Sequence, residues 1–228
     1  VVINGRSAEK GAQAVKEMNG GDRVHFVQGD IKSREGCQAI IDAAIAKYGK
    51  IDIMVNNAGG ATGHAPVIDL EDWAMEDSLK WNFWSTFWCT QMALRDMVPR
   101  GWGRIINVAS ISVKEPLNYL VLSNSLRAAL VTWAKSLSVD IAKDQITINT
   151  ILTGYFDTQR IEQLNINKAE KMGISLSEVR EAMENAVPMK RMGQPEEYAS
   201  LVCFLASDKA SYITGTNIPI DGGLLKSV

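Results

Sequence analysis

The sequence predicts an α/β fold in which a doubly wound parallel sheet carries helices on both faces. Four short apolar segments rich in β-branched residues, at 24–27, 51–55, 104–108 and 146–151, predict strands. Longer helical patterns lie between them, including 34–48 and 126–143. In the second, apolar residues recur at spacings of three and four, which places them on one helical face. Strands that alternate with helices are typical of a parallel sheet.

The composition indicates a single globular domain over residues 1–228 and excludes several classes of function. Hydrophobic residues make up 46% of the chain and charged residues 22%, while the formal net charge is −2, so nothing favours nucleic acid. No apolar run is long enough to predict a membrane span. The three cysteines are few and far apart, which argues against a metal site and favours a reducing, cytoplasmic location.

Three further segments predict helices with different surroundings. Residues 175–178 form a capping box, and Pro195 opens a helix whose first turn is acidic. Residues 159–186 are polar and helical, and are either a lid over a substrate or a surface helical hairpin. Residues 78–97 are apolar nearly all round and carry several aromatic side chains, which indicates burial in the core and against a second copy of the chain. We expect a homodimer or homotetramer.

A set of short motifs follows the predicted strands. Asn56-Asn57-Ala58-Gly59 comes after the 51–55 strand, and Gly154-Tyr155-Phe156-Asp157-Thr158 after the 146–151 strand. The C-terminal part contains 191–197, 204–207, 213–215 and 221–223 in that order. Together these motifs resemble the short-chain dehydrogenases/reductases over nearly the whole chain, and in particular the 3-oxoacyl-carrier-protein reductases. The resemblance implies a Rossmann-type fold and an NAD(P)-dependent oxidoreductase that interconverts a carbonyl and a secondary alcohol.

The resemblance also implies where a nicotinamide cofactor would bind. Arg6 ends the opening strand, where a basic residue favours NADP over NAD because it pairs with the 2′-phosphate, although Arg6 is alternatively a solvated turn residue. Asp30 and Ile31 would flank the adenine ring, unless Asp30 simply caps the helix at 34–48. NAD remains possible. The remaining cofactor-binding candidates, at the nicotinamide end, are Asn57, Ala58, Gly59, Gly154 and Thr158.

The family's glycine-rich phosphate loop has no counterpart in the sequence. In the family, a strand, a glycine turn and a helix hold the pyrophosphate at a helix N-terminus. We expect this N-terminal βα unit to be missing ahead of Val1, which would weaken cofactor binding.

Two of the family's four catalytic residues are present. The family uses an asparagine, a serine, a tyrosine usually about thirteen residues after the serine, and a lysine four residues later. Asn82 and Ser110 match the first two. The segment 120–124 resembles Tyr-x-x-Ser-Lys, which places Leu120 at the tyrosine position and Asn124 at the lysine position, after a loop shortened by about three residues. Leucine exchanges no proton and asparagine carries no charge.

The source of a proton is therefore open. Tyr119 precedes the tyrosine position by one residue and is either a proton donor, with Lys114 as its cation, or a packing residue. His64 follows the Asn56–Gly59 motif and is a second candidate donor, whereas His25 fits a strand. The alternatives to an oxidoreductase with an altered tetrad are a nucleotide-binding pseudoenzyme or scaffold of the same fold, and a non-redox addition or elimination enzyme. The substrate itself is expected to be a small molecule.

Overall fold

A computed structural model of the chain describes residues 1–60 and 67–227. Its strands are β1 Val2–Gly5, β2 His25–Gln28, β3 Ile53–Asn56, β4 Gly103–Ser110, β5 Ile146–Thr153 and β6 Asn217–Ile220. Its α-helices are α1 Ala8–Met18, α2 Arg34–Tyr48, α3 Asp72–Leu79, α4 Ser85–Arg100, α5 Val121–Ile141, α6 Gln159–Met172, α7 Leu176–Ala186 and α8 Pro195–Ala206.

All strand pairs are parallel, as the sequence predicts, but they form two sheets rather than one. β1 pairs with β2, and the other four follow the order β3-β4-β5-β6. Within the described residues no strand pairs with members of both sheets, so one edge of β3 has no strand beside it. Ile53 and Val55 on that strand consequently stay 45% and 41% exposed.

Helices cover both faces of the four-stranded sheet, which confirms the doubly wound arrangement. On one face, α2, α4 and α5 enclose a core that contains Met97, Ile105 and Ile148, all fully buried. On the other, Leu205 of α8 packs against Ile106 and Ile151. The two cores share β4 and β5, whose residues from 103 to 107 and from 146 to 152 are all buried.

Several helix boundaries follow directly from their capping residues. The helix predicted at 34–48 is α2, with the side chain of Ser33 accepting a hydrogen bond from the backbone N–H of Gly36 and Gly49 ending it in the left-handed conformation. Ser175 and Glu178 form the predicted capping box of α7. The insertion at 159–186 contains α6 and α7. Helix α5 begins at Val121, five residues before the predicted start, because Leu120 is its N-cap.

The aromatic segment predicted as one helix at 78–97 is built from three parts. Helix α3 runs into a π-helical segment, Lys80–Trp84, which continues as α4 to Arg100. A π-helical turn inserts one extra residue and is frequent at functional sites. The aromatic side chains of the π-helical segment and of α4 form a cluster with Trp133 of α5. The cluster contains Phe83, Trp84, Phe87, Trp88 and Trp133. No helix within the described residues is long and apolar enough to cross a membrane.

Candidate active site

Asn82 lies inside the π-helical segment and holds the loop that follows β3. Its side chain accepts a hydrogen bond from the backbone N–H of Gly60 at 3.0 Å and donates to the carbonyl oxygens of Gly60 at 2.9 Å and Ser78 at 3.0 Å. The residue is 3% exposed. The amide therefore fixes the position of the loop's backbone, with both its oxygen and its nitrogen in use.

Gly59 brings that loop close to two polar side chains. Its φ angle of +151° disfavours any residue with a side chain. A Cβ on Gly59 would lie 2.9 Å from Nη2 of Arg127 and 3.0 Å from Oδ1 of Asn82. The absence of a side chain at this position is what lets the guanidinium and the amide approach the backbone together.

Arg127 is the charged side chain that helix α5 contributes to this region. Its Nη1 donates to the carbonyl oxygen of Val108 in β4 at 2.7 Å, and its Nε donates to Oγ of Ser123 at 3.3 Å. Residues four apart on a helix share a face, so Ser123 and Arg127 point the same way. Nη2, which would lie 2.9 Å from a Cβ on Gly59, makes no hydrogen bond to any described residue and is the part of the guanidinium that faces the loop.

Burial is the largest influence on the pKa of Arg127, and two neighbouring groups act on it in opposite directions. Burial lowers the pKa of this guanidinium, the nearby Tyr198 partly opposes that shift, and the positive charge of Arg160 lowers the pKa further. An arginine nevertheless stays protonated in proteins. The site therefore contains a permanent cation held by one backbone carbonyl and one serine.

Leu120 and Asn124, which the resemblance places at the family's tyrosine and lysine positions, lie at the start of α5. Leu120 lies before α5 begins, as its N-cap. The side chain of Asn124 donates to the carbonyl oxygen of Leu117 at 2.7 Å, so its amide points to the preceding loop rather than towards Asn82. The polar side chain that reaches the region of Asn82 from α5 is Arg127, one turn beyond Ser123.

Ser110 ends β4, as predicted, beside Thr153 at the end of β5. Its hydroxyl oxygen accepts a hydrogen bond from the backbone N–H of Ser112 at 3.1 Å and so caps the short 3-10 helix Ile111–Val113. That contact uses the oxygen as an acceptor and leaves the hydroxyl proton able to donate. A carbonyl or alcohol oxygen of a substrate is one acceptor of suitable chemistry.

Tyr119 is 64% exposed, and its hydroxyl makes no hydrogen bond within the described part of the chain. Desolvation raises the pKa of this phenol, and Tyr155 raises it further. The shift is opposite to that of a phenol activated by a cation. Lys114, its predicted partner, is exposed at the end of the 3-10 helix. His64 lies outside the described residues.

The predicted cofactor-binding residues lie along the carboxyl ends of the strands. Arg6 is exposed just after β1. After β2, Asp30 accepts a hydrogen bond from the backbone N–H of Lys32 at 2.9 Å, which turns the chain before α2, and Ile31 packs against the core. Asn57 and Ala58 are exposed after β3. The carboxyl edge of a parallel sheet is where ligands bind in this architecture.

The loop after β5 contains the other two predicted cofactor residues. A Cβ on Gly154 would lie 2.6 Å from the Cα atom of Asp221, so only glycine fits between these backbones. Thr158 is the N-cap of α6, and its hydroxyl oxygen accepts a hydrogen bond from the backbone N–H of Ile161 at 3.3 Å. The described residues contain no cluster of acidic, histidine and cysteine side chains suited to a metal ion.

The sequence motifs do not single out Ser123, Arg127 and Arg160 as site residues, although the first two have a recognisable spacing. Ser123 is thirteen residues after Ser110 and Arg127 is four residues further, which is the family's own spacing. Neither residue has the chemical type that the family uses there, so the similarity of 120–124 to the family motif outweighed the spacing. Arg160 carries no motif, and only its position in the folded chain connects it with the site.

The chain matches a family model described as Enoyl-(Acyl carrier protein) reductase over residues 1–225. It is 33% identical over 230 residues to the 3-oxoacyl-[acyl-carrier-protein] reductase FabG of Haemophilus influenzae, covering 99% of this chain and 88% of the relative. It is 32% identical over 241 residues to the NADPH-dependent reductase BacG of Bacillus subtilis, covering 100% and 89%.

Solved structures agree with these sequence relatives. The fold is similar to that of an actinorhodin polyketide ketoreductase variant with NADPH, with a TM-score of 0.93 at 26% identity and coverage of 100% of this chain and 88% of that one. Sequence, fold and the order of the strand-end motifs all point to one group of proteins. The chain belongs to the short-chain dehydrogenase/reductase superfamily, in the branch of the 3-oxoacyl-carrier-protein reductases.

Proposed function

We propose that the chain is an NADP-dependent oxidoreductase that interconverts a carbonyl and a secondary alcohol on a small-molecule substrate. The observation that carries the proposal is the convergence of Asn82 and Arg127 on the backbone of Gly59, beside the strand end that carries Ser110. This arrangement combines an amide that orders the loop, a fixed cation and a hydroxyl donor. A pocket that polarises a carbonyl oxygen needs groups of these kinds.

We further propose a registration of α5 that differs from the one suggested by the motif at 120–124. In it, Ser123 stands at the family's tyrosine position and Arg127 at its lysine position. Three observations support it: the thirteen- and four-residue spacings, the hydrogen bond between the two side chains, and the contact of Arg127 with Gly59. No shortened loop is then required between Ser110 and α5.

Each group has a role that follows from its contacts. Ser110 would donate a hydrogen bond from its hydroxyl to the substrate oxygen and keep its proton, because its own oxygen already accepts from the backbone N–H of Ser112. Arg127 would hold the ribose and stabilise negative charge that develops on the substrate oxygen, through the Nη2 group that faces Gly59. Ser123 both donates and accepts, so it can relay a proton but is too weak an acid to supply one at neutral pH. The proton would come from water or from Tyr119.

The residues at the strand ends fit a dinucleotide. Gly59 and Gly154 keep the backbone free of side chains where a Cβ would meet neighbouring atoms, and Asn57 and Ala58, just before Gly59, are exposed. The hydroxyl of Thr158 can donate a hydrogen bond to a phosphate, since its oxygen already accepts one from the backbone N–H of Ile161 at the start of α6. When bound, NADP supplies or accepts the hydride. The name of BacG and the NADPH in the ketoreductase structure support this assignment.

Arg6 would select NADP over NAD by pairing with the 2′-phosphate, while Asp30 and Ile31 would lie beside the adenine ring. Arg6 is exposed, so its guanidinium is accessible to a phosphate. The test is calorimetric titration with NADPH and NADH for the native chain and for Arg6→Ala. Weaker NADPH binding with unchanged NADH binding is the expected result. Equal losses for both nucleotides would refute this role of Arg6.

The activity test follows NADPH oxidation with β-keto esters, ketones and sugars, and NADP reduction with secondary alcohols. We expect turnover with at least one class, and a loss of about 100-fold or more in Ser110→Ala or Arg127→Met, as for other groups that stabilise charge in the transition state. Tyr119→Phe decides between the two proton sources, because it abolishes turnover only where the phenol is the donor. A Ser110→Ala variant with full activity would exclude Ser110 from the mechanism.

One observation favours a second candidate, a nucleotide-binding pseudoenzyme or scaffold. Tyr119 is the described tyrosine next to the start of α5, and its phenol is not activated by a cation. The same titrations separate the two functions. NADPH binding in the micromolar range without turnover of any substrate class would establish the scaffold and refute the oxidoreductase.

We also propose that the aromatic side of α4 packs against a second copy of the chain. Trp84 and Trp88 stack with ring centroids 5.5 Å apart, and neither is fully buried within the monomer. A half-buried aromatic cluster is typical of an oligomer interface. Sedimentation at several concentrations should give a dimer or tetramer that dissociates in Trp88→Glu. A monomeric native chain would contradict the proposal.

A further inference from the structure

Arg160 reaches the active-site loop from the start of helix α6. A Cβ on Gly60 would lie 3.0 Å from Nη2 of Arg160 and 3.2 Å from Cη2 of Trp81, so the guanidinium and the indole border the same backbone. Gly59, the preceding residue, borders Arg127 in the same way. Two guanidinium groups from different helices therefore lie against two consecutive glycines of the loop that Asn82 holds.

The two arginines are close enough to affect each other. The charge of Arg160 contributes to the lowered pKa of Arg127, which is the expected effect of like charges. Among the described residues, no carboxylate lies within 4.0 Å of either guanidinium. The repulsion between them is thus not offset by an acidic side chain in that part of the protein.

Two other cations nearby are neutralised by acids. Lys32, whose ammonium lies 5.2 Å from the centre of the Trp81 ring, forms an ion pair with Asp77 at 2.7 Å. Arg180 on the adjacent α7 contacts Asp157 at 2.5 Å and Glu184 at 3.0 Å. Arg160 differs from both because it faces the site without such a partner, which leaves its planar donor group available to an external anion.

We propose that Arg160 binds a carboxylate or phosphate group of the substrate, so that the substrate is an anionic carbonyl compound or its alcohol. This rests on the proposed oxidoreductase function. The planar guanidinium suits two-point binding of an oxyanion, and Trp81 provides an apolar wall next to it. Arg127 would then act at the reacting oxygen, while Arg160 holds the charged end of the same molecule on the α6 side.

The test uses keto acids and their uncharged methyl esters as probes: acetoacetate, levulinate and 2-oxobutyrate. Each is titrated calorimetrically into the chain saturated with NADP⁺, which cannot reduce a ketone and so prevents turnover. The native chain should prefer at least one acid over its ester. Arg160→Gln should reduce that preference about tenfold to a hundredfold, the range for a charge-assisted hydrogen bond. Arg160→Lys should retain part of it.

Arg180→Gln is the matched control, because it removes an arginine of the neighbouring helix that is already paired with acids. Its preference for the acids should equal that of the native chain. Circular dichroism of each variant establishes that it is folded. An equal preference in Arg160→Gln and the native chain would overturn the proposal, as would the absence of any preference for an acid over its ester in all three pairs.

A second source of an anion is the pyrophosphate of the cofactor, and one measurement separates it from the substrate. If Arg160→Gln weakens NADP⁺ binding about tenfold or more but keeps the preference for the acids, the arginine binds the cofactor and the proposal is wrong. A native chain that binds no NADP⁺ would refute the proposed function. The acids are then titrated into the chain alone, where loss of their binding in Arg160→Gln would still support an anion site.

Discussion

Replacing Asn82 by alanine tests whether its amide holds the loop after β3. The side chain makes three hydrogen bonds, at 3.0, 2.9 and 3.0 Å, and is 3% exposed. Each such bond contributes about 1 kcal/mol net, so we expect the free energy of unfolding to fall by about 3 kcal/mol. This is less than the stability of a typical domain, so the variant should fold. Urea denaturation measures the change.

The local effect is the more specific part of the prediction. The backbone N–H of Gly60 donates to Asn82, and without that acceptor its hydrogen exchange should speed up about tenfold or more relative to the sheet. Hydrogen exchange followed by mass spectrometry resolves the segment that contains Asn57–Gly60. The binding of NADPH should weaken in parallel, because the loop it would contact is less ordered.

Asn149 provides a matched control on β5. It is 1% exposed, donates to the carbonyl oxygen of Ile213 at 2.7 Å and accepts from the hydroxyl and the backbone N–H of Thr216 at 2.8 and 3.3 Å. Asn149→Ala should lose similar stability without faster exchange at Gly60. The reasoning is refuted if Asn82→Ala costs less than about 0.5 kcal/mol, or if both variants speed up exchange in the loop equally.

Three further changes have expected outcomes. Gly154→Ala should lower the free energy of unfolding in urea by about 3 kcal/mol, because the added Cβ would lie 2.6 Å from the backbone of Asp221. Gly49→Ala is the control: its φ is +79° but nothing lies within 4 Å of the added Cβ, so it should cost about 1 kcal/mol. Equal losses for the two variants would contradict this prediction. An arginine and a backbone N–H lower the pKa of Glu197 to about 2. The ionised Glu197 stabilises the fold above its unfolded pKa of about 4, and this contribution is lost as pH falls through about 2. Glu197→Gln should therefore have a lower thermal midpoint than the native chain at pH 7, and its midpoint should fall less than the native one when the pH is lowered to about 2. Identical falls of the midpoint in acid for the two proteins would contradict this prediction. Ser175→Ala should cost about 1 kcal/mol in urea by removing the cap of α7, and no loss would exclude a stabilising capping box.

The fold could be predicted because its signals are local and repeated. Apolar β-branched segments mark β4 and β5, and serines and glycines mark the ends of helices such as α2. The division into two sheets could not be predicted in this way, since strand pairing depends on which strands become neighbours in space. The π-helical turn around Asn82 also has no local signal, because its residues have the apolar pattern of an ordinary helix.

The site was predictable only as far as residue type and motif agree. Asn82 and Ser110 have the family's residue types and lie at the elements expected for them. On α5 the two criteria conflict: Asn124 resembles the family by local pattern, and Arg127 by spacing and by contact. Successive helical residues differ by about 100° in direction, so two registrations three residues apart use different faces of α5. The contacts of Arg127 support the proposed registration, and the activity of its variants tests it.

If Arg127 occupies the position of the family's lysine, as proposed, the arginine constrains the chemistry further. A lysine ammonium is a mobile point charge that can follow a ligand, whereas Arg127 is fixed at Nη1 by Val108 and at Nε by Ser123. Of the three guanidinium nitrogens, Nη2 is the one without a hydrogen bond to a described residue, so the N–H groups available to a ligand point towards Gly59. A cation that cannot deprotonate cannot relay a proton either, and any proton transfer must pass through hydroxyl groups or water. The proposed Ser123–Arg127 pair therefore favours a site that stabilises charge over one that supplies protons, and Arg160 on α6 would extend that positive field towards the proposed substrate.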